Sequence, residues 1–199
     1  MVPQKRKICE SIIKNALGLS QKIAARKCTV VQVSNKQYRD FCKDNHIQGY
    51  APASIRLGLK YNDRLVMVVG IGKSRYNKKF EYEIVRSCSL IDHTIVGGFQ
   101  RLLKHSGVYS VLSYCDKRFF VGTSYEQAGF KHLYNTPPNY FYWSDKRREV
   151  KSRIACQKHK LQQILDDYDP QLTEHQNMLN NQWYRVYDCG NMVWCLNGS

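Results

Sequence analysis

Acidic residues are scarce in this chain. Asp and Glu number 16 against 31 Lys and Arg, a net charge of +15 and a pI near 9.5. A surplus of that size steers a protein toward polyanions. No apolar run approaches the roughly 18 residues that a membrane span needs. The eight cysteines contain no CxxC pair and no CxxC…HxxxH spacing, which argues against a zinc finger or ribbon. The stretch Met1 to Glu10 is basic and lacks the apolar centre and small-residue cleavage site of a signal peptide. There is no internal repeat and no low-complexity tract. The expectation is a cytoplasmic protein without membrane contact, whose reduced thiols mostly fill the core.

What is present reads as a globular fold. Hydrophobic residues make up 43% and charged residues 24% of 199 positions, which suits one domain and not a disordered chain. Apolar spacing over Lys5 to Lys27 is helical, interrupted at Gly18. CTVVQV (28–33) reads as a strand, and Ser34 as the cap of a helix from Asn35 to about Asn45. Ile55 to Tyr61 and Arg64 to Gly70 read as a hairpin closed by Asn62-Asp63. Phe80 to Cys88 is a strand, Thr94 to His105 a helix, Tyr109 to Cys115 a strand and Ser124 to Ala128 a short helix. Strands at Lys131 to Tyr134 and Tyr140 to Trp143 follow. Asp145 to Lys160 holds seven Lys/Arg against two acids and reads as a basic helix or arm. Trp183 to Trp194 reads as an aromatic hairpin packed onto the main sheet. Three segments follow from this reading: a basic N-terminal helix (1–27), a core (28–144) and a C-terminal extension (145–199).

The stretch Glu83 to His105 leads from a strand, through Gly97-Gly98, into an amphipathic helix. Backbone N–H groups at such a helix start, with no side chain in the way, can cradle a phosphate. SVLSYCDKRFFVGTSYEQAGF then resembles the strand and helix of the GNAT superfamily of N-acetyltransferases. Tyr125, Glu126, Gly129 and Phe130 stand where that pattern has its own Tyr, Glu, Gly and Phe. The resemblance implies an α+β fold with a GNAT-like mixed central sheet flanked by helices. It also implies an acyl-CoA donor held around Val96, Gly97, Gly98, Gln100, Arg101 and Tyr125.

Longer motifs are more specific. ARKC (25–28), NHIQGY (45–50), GKSRYNKKFEYEIVRSC (72–88), VGGFQRLLK (96–104), SYCDKRF (113–119), PNYFYW (138–143) and the run from Asp169 to Trp194 resemble one phage family. It includes Mom-type DNA-modification proteins and the accessory domain of Hef-type homing endonucleases. No GIY-YIG or HNH nuclease motif accompanies them. The resemblance implies a phage-encoded, anti-restriction enzyme in the bacterial host cell. Its activity would be transfer of an acyl or glycinamide-type (carbamoylmethyl) group to a DNA base, adenine N6. Acyl-CoA or an aminoacyl-tRNA would be the donor, no metal would be needed, and DNA and tRNA are the implied partners. Two alternatives stay open: a non-catalytic DNA-binding module, and an acyltransferase acting on a protein or small amine.

The individual candidates each carry two readings. His46, beside Gln48, Gly49 and Tyr50, suits a general base, or a helix-end imidazole on the last carbonyls. Asp116 at a strand end suits an acceptor of a proton from an exocyclic amine, or an ion pair with Lys117 or Arg118. Glu83, sharing a face with Glu81, suits a base, or a partner for Arg64, Arg75 or Arg86. Tyr142, with Tyr114, Phe119, Tyr125 and Tyr140, suits the wall of a pocket for an extruded base, or core. Lys73, Arg75, Tyr76, Lys78 and Lys79 interleave cations and aromatics in the manner of a nucleic-acid contact. Arg118, Lys146, Arg147 and Arg148 extend it.

Overall fold

The computed structural model describes residues 3–197; positions 1, 2, 198 and 199 of the expected terminal segments lie outside them. The N-terminal helix α1, Pro3–Ala16, buries Ile8 and ends where Gly18 turns left-handed at φ 74°. The helical reading of 17–27 is corrected. That stretch forms strand β1, Gln21–Ala24, and a 3-10 turn, Ala25–Lys27. β1 gains what a continued helix could not, a parallel ladder with β6, His93–Val96.

Strand β2 (Thr29–Gln32) leads to Ser34, whose hydroxyl accepts from the Gln37 N–H while the Gln37 side chain accepts from Ser34, a capping box. Helix α2, Asn35–Asn45, follows it. Strands β3, Ile55–Tyr61, and β4, Arg64–Lys73, form the expected hairpin. Asn62 and Asp63 both take positive φ, 48° and 58°, the geometry of a two-residue turn matched to strand twist. After β5, Tyr82–Ser89, comes helix α3, Gly98–Ser106, shorter than the sequence implies because 93–96 are spent on β6. Strand β7, Val111–Asp116, helix α4, Thr123–Gln127, and strand β8, Lys131–Asn135, complete this run.

The chain then builds β9, Tyr140–Ser144, β10, Glu149–Ser152, helix α5, Glu174–Asn180, and β11, Tyr184–Tyr187, before β12, Asn191–Leu196. The architecture is α+β with a mixed central sheet flanked by helices. Seven strands lie in the order β2-β3-β4-β5-β7-β12-β8. β2 through β5 pair antiparallel, and β5 pairs β7 in parallel. Met67 and Val69 pack in the cluster with Leu102 and Leu103 of α3, whereas Val68 packs with Tyr38 and Cys42 of α2. Helices thus cover both faces, which suits the nearly unbroken burial of β4.

Two compact units emerge, and they cut across the expected segments. The first runs to Cys115 and resumes at Phe119–Tyr134 and from Met192; the second comprises Asp116–Arg118 and Asn135–Asn191. The second has its own core of Tyr142, Cys156, Leu161, Leu165, Met178 and Trp183 around a three-stranded sheet, β10-β9-β11. Two expectations are corrected here. Residues 145–160 form no α-helix. A turn with Arg148 at φ 52° joins β9 to β10, and a 3-10 segment begins at Lys158. Nor is 183–194 a hairpin. β11 pairs β9, while β12 joins the central sheet. The Asp188-Cys189-Gly190 turn is real. Gly190 takes φ 71° and lies so close to Thr136 that a Cβ would come within 2.3 Å of its carbonyl oxygen. Trp183 therefore packs in the second unit and Trp194 in the first, and Tyr187 stays 59% exposed.

Candidate functional site

The parallel pair β5–β7 is where the central sheet opens. Its ladder joins Tyr82 to Val111, Glu83 to Leu112 and Ile84 to Ser113, and goes no further. β5 continues to Ser89 and β7 to Asp116. A bulge explains the parting. Across β4–β5, Gly70 pairs with Arg86 and Ile71 with Ile84, so Val85 has no opposite number. An extra residue bends its strand and increases local twist. It falls directly after the last β5–β7 pair. Backbone groups on the facing edges of the two strands are thereby released from the ladder.

Tyr125 stands at this junction. Its hydroxyl lies 2.8 Å from Ser113 Oγ, the last paired residue of β7. Its ring stacks on Trp194 at 5.8 Å and meets Phe99 and Phe130 edge-on at 5.4 Å. Burial pushes the hydroxyl up to about 12, despite the opposing hydrogen bond from Ser113. It is protonated at neutral pH and held in place.

The two glycines at the start of α3 have different jobs. Gly97 caps the helix at φ 74° with open space around its Cα, and no side chain caps the first N–H groups. Those N–H groups are free to take an anion. Gly98, the first residue of α3, contributes its N–H to that start and is also required by packing: a Cβ there would lie 2.6 Å from Met67 Sδ and 2.8 Å from Ile95 Cγ2. Val96 is 55% exposed at the end of β6. Because Ala24 pairs with Val96 in parallel, Ala25–Lys27 continues alongside the start of α3. Arg101 ties the two together, donating to the Ala25 carbonyl at 2.7 Å. Gln100 donates to the Gln127 carbonyl, linking α3 to α4. A groove of about 450 Å³ lies elsewhere, along β2, lined by Cys28 to Gln32, Leu57, Arg101 and His105. It shares only Arg101 with the donor candidates.

The candidate bases are mostly occupied. Glu83 is 1% exposed and holds Arg75: Oε1 accepts from Nη2 at 2.5 Å, and Oε2 from the Arg75 N–H at 3.2 Å. Asp116 accepts from the Arg118 backbone N–H at 3.0 Å and from Nη2 at 2.7 Å. In both cases the ion pair foreseen as the plainer alternative is the one formed. His46 ends α2, with Nδ1 accepting from the Gln48 N–H at 3.1 Å. Burial, with Arg86 and Lys5 nearby, pushes it down to about 4, so it is neutral and a weak base. Tyr50 donates to Asn35 at 3.1 Å and packs edge-on against Tyr38. Tyr142 is corrected from pocket wall to core. It is fully buried in the second unit, donates to Glu174 at 3.0 Å and accepts from Arg185 at 3.0 Å; burial raises its hydroxyl further.

The basic side chains at the passage from β4 to β5 lie at the surface, with Arg75 held by Glu83. Lys73, Arg75, Lys78 and Lys79 are exposed, and Lys78 donates to the Ser74 carbonyl. Tyr76 is 77% exposed, lies under the Arg75 guanidinium at 5.5 Å and meets Tyr114 edge-on. In the second unit, Arg147 pairs with Asp166 and Arg148 with Asp145, while Lys146 sits in the same exposed turn. No group of three or more His, Cys, Asp or Glu able to hold a metal occurs among the described residues. No helix there is long and apolar enough to cross a membrane.

No protein-family model and no curated protein matches the chain. Among solved structures, a ribosomal-protein-alanine N-acetyltransferase from Escherichia coli is similar at TM-score 0.46 and 9% identity. That match covers 85% of this chain and 92% of the other. A Bacillus subtilis acetyltransferase in complex with CoA is similar at 0.45 and 13%, covering 86% and 97%. At such scores the likeness assigns neither family nor activity.

Proposed function

We propose that this protein is an acyltransferase of the GNAT type that takes an acyl-CoA donor and modifies the exocyclic amine of a nucleic-acid base. The observation that carries the reading is the bulge at Val85 with the parting of β5 and β7 that follows it. Free N–H groups on the opened strands can hold an extended donor arm and polarise its thioester carbonyl as charge develops on oxygen. The start of α3 offers uncapped N–H groups to the donor's phosphates, beside the exposed Arg26 and Lys27. The amine nitrogen attacks the carbonyl carbon, an N–C bond forms and the C–S bond breaks. The departing thiolate takes the proton of the Tyr125 hydroxyl, and the amine's proton leaves to solvent.

The nucleic-acid side rests on the +15 charge and on the exposed loop of Lys73, Arg75, Tyr76, Lys78 and Lys79. The resemblance to Mom-type proteins favours DNA, and adenine N6 as the acceptor. A carbamoylmethyl group is joined through a saturated carbon, so its transfer needs displacement at that carbon and not addition to a carbonyl. The arrangement at β5–β7 therefore favours a true acyl group over it.

The second reading, a non-catalytic DNA-binding module, is favoured by the pairing of Glu83 and Asp116 with arginines. Calorimetry with acetyl-CoA, together with mass spectrometry of nucleosides from DNA of expressing cells, separates the two. Saturable donor binding and an acylated nucleoside are expected. A folded protein that binds DNA but not acetyl-CoA, and leaves nucleosides unchanged, is the module. An acylated protein or small amine with unmodified DNA would move the acceptor and keep the chemistry.

A further inference from the structure

The second unit carries a cluster that acyl transfer does not use. The Arg185 guanidinium lies 4.4 Å from the centre of the Tyr140 ring, and that of Arg153 lies 5.1 Å from the same centre. Tyr187 packs against Tyr140 with ring centres 5.8 Å apart, and its ring is 59% exposed. One carboxylate serves part of this cluster. Glu174 Oε1 accepts from the hydroxyls of Tyr140, at 2.9 Å, and Tyr142, at 3.0 Å, and stands 3.8 Å from Arg185 Nη2.

The charge does not balance. Two guanidiniums lie against one ring, and the single carboxylate there stands beside Arg185 with its oxygen already shared by two hydroxyls. Arg153 forms no ion pair among the described residues. By contrast, the nearby cations Arg147 and Arg148 are offset by Asp166 and Asp145. The surplus thus sits at Tyr140, where exposed aromatic surface adjoins it. Cations that hold phosphates beside a ring that accepts a base face are the two components of single-strand binding. In a duplex the base faces are stacked on one another and cannot reach such a ring.

We propose that Arg153, Arg185, Tyr140 and Tyr187 form a binding surface for single-stranded nucleic acid, with phosphates on the two arginines and a base on Tyr187. The inference rests on the nucleic-acid part of the proposed function and is independent of acyl transfer. Arg185 also supports Tyr142 in the core, so the test spares it and uses the two exposed members.

The experiment is fluorescence anisotropy of the full chain with a single-stranded oligothymidine over a range of salt. Tyr187→Ala should weaken binding about 5- to 150-fold, the loss of one stacked base. Tyr187→Phe, which keeps the ring and loses only the hydroxyl beside Arg185, should retain most of the affinity that Tyr187→Ala loses. Arg153→Gln should weaken binding and lower the salt slope by about 0.7, one single-strand phosphate contact. Wild-type affinity and slope in both Tyr187→Ala and Arg153→Gln would overturn the surface, as would equal losses in Tyr187→Phe and Tyr187→Ala. Failure to bind the oligothymidine at all would overturn it too. Acetyl-CoA binding, measured on the same variants, should not change. Its absence alongside intact oligonucleotide binding would refute acyl transfer and leave this surface standing.

Discussion

The two units expose function in opposite currencies. In the first, what is open is backbone: the edges of β5 and β7 beyond Ile84 and Ser113, and the uncapped start of α3. Its candidate bases are tied down, Glu83 by Arg75 and His46 by a backbone N–H. In the second, the backbone is closed in a small three-stranded sheet, and what is open is side chain: Arg153 and Tyr187 around Tyr140. Backbone openings suit a ligand shared by many sequences, because N–H groups are the same in all of them. Side-chain clusters suit a particular partner. The proposed donor site lies with the first kind of opening and the proposed single-strand surface with the second, while Lys73, Tyr76, Lys78 and Lys79 give the first unit a side-chain opening of its own.

The sharpest way to break the contrast is at Tyr125. Tyr125→Phe removes the hydroxyl on Ser113 but keeps the ring on Trp194. It should lower the rate of acyl transfer by about 10²–10⁴-fold with little change in acetyl-CoA affinity. An unchanged rate would take proton transfer away from the first unit's opening.

His46 tests whether a tied-down candidate is structural. Its folded value is near 4, below the ordinary 6.5 of the unfolded chain, so the unfolded state binds more protons between these values. The stabilisation is fully present above about pH 6.5, falls as pH drops toward 4 and levels off below. It amounts to at most about 3 kcal/mol. Denaturant melts at pH 7 and pH 4 should show this loss in the parent and not in His46→Gln. A parent with no loss in that window would show that His46 is not held neutral by its surroundings.

The paired glycines come next. Gly98→Val drives a side chain into Met67 and Ile95 and should cost about 1–3 kcal/mol or more. Gly97→Ala meets no atoms and should cost about 1–2 kcal/mol for the left-handed backbone alone. Thermal melts of both variants rank them, and an order reversed from this one would show that Met67 and Ile95 yield to the added side chain. The smallest effect is expected in the second unit. Glu174→Gln keeps a carbonyl for the two tyrosines but removes the charge, at a cost of about 1 kcal/mol. It should tighten single-strand binding, because Arg185 loses the counter-charge beside it. Weaker binding by a stably folded Glu174→Gln would mean that the carboxylate positions the arginines for the ligand.

Local chemistry was legible. Ser34 caps α2 and Asn62-Asp63 closes the β3–β4 hairpin because each depends on residues two or three apart. The ion pairs of Asp116 with Arg118 and Glu83 with Arg75 were among the alternatives open on spacing alone. The run 183–194 misled because alternation and a turn specify two strands without specifying their partners. Tyr142 reads the same in sequence whether it lines a pocket or fills a core, and only its contacts with Glu174, Arg185 and the second core distinguish the two. Gly98 next to Gly97 reads in sequence as a phosphate loop alone, and only the fold shows Met67, thirty-one positions away by numbering, packed against it.

By itself, the sequence determined the basic surplus, the order of most strands and helices, the caps and turns, and the cation–aromatic loop at 73–79, since each follows from composition or from neighbours along the chain. Only the tertiary structure decided that Val85 bulges and β5 parts from β7, that β12 belongs to the central sheet, and that Arg153 and Arg185 both lie against Tyr140. Those outcomes depend on pairings between distant segments, and a strand's own side chains state which face is buried but not which neighbour will bury it.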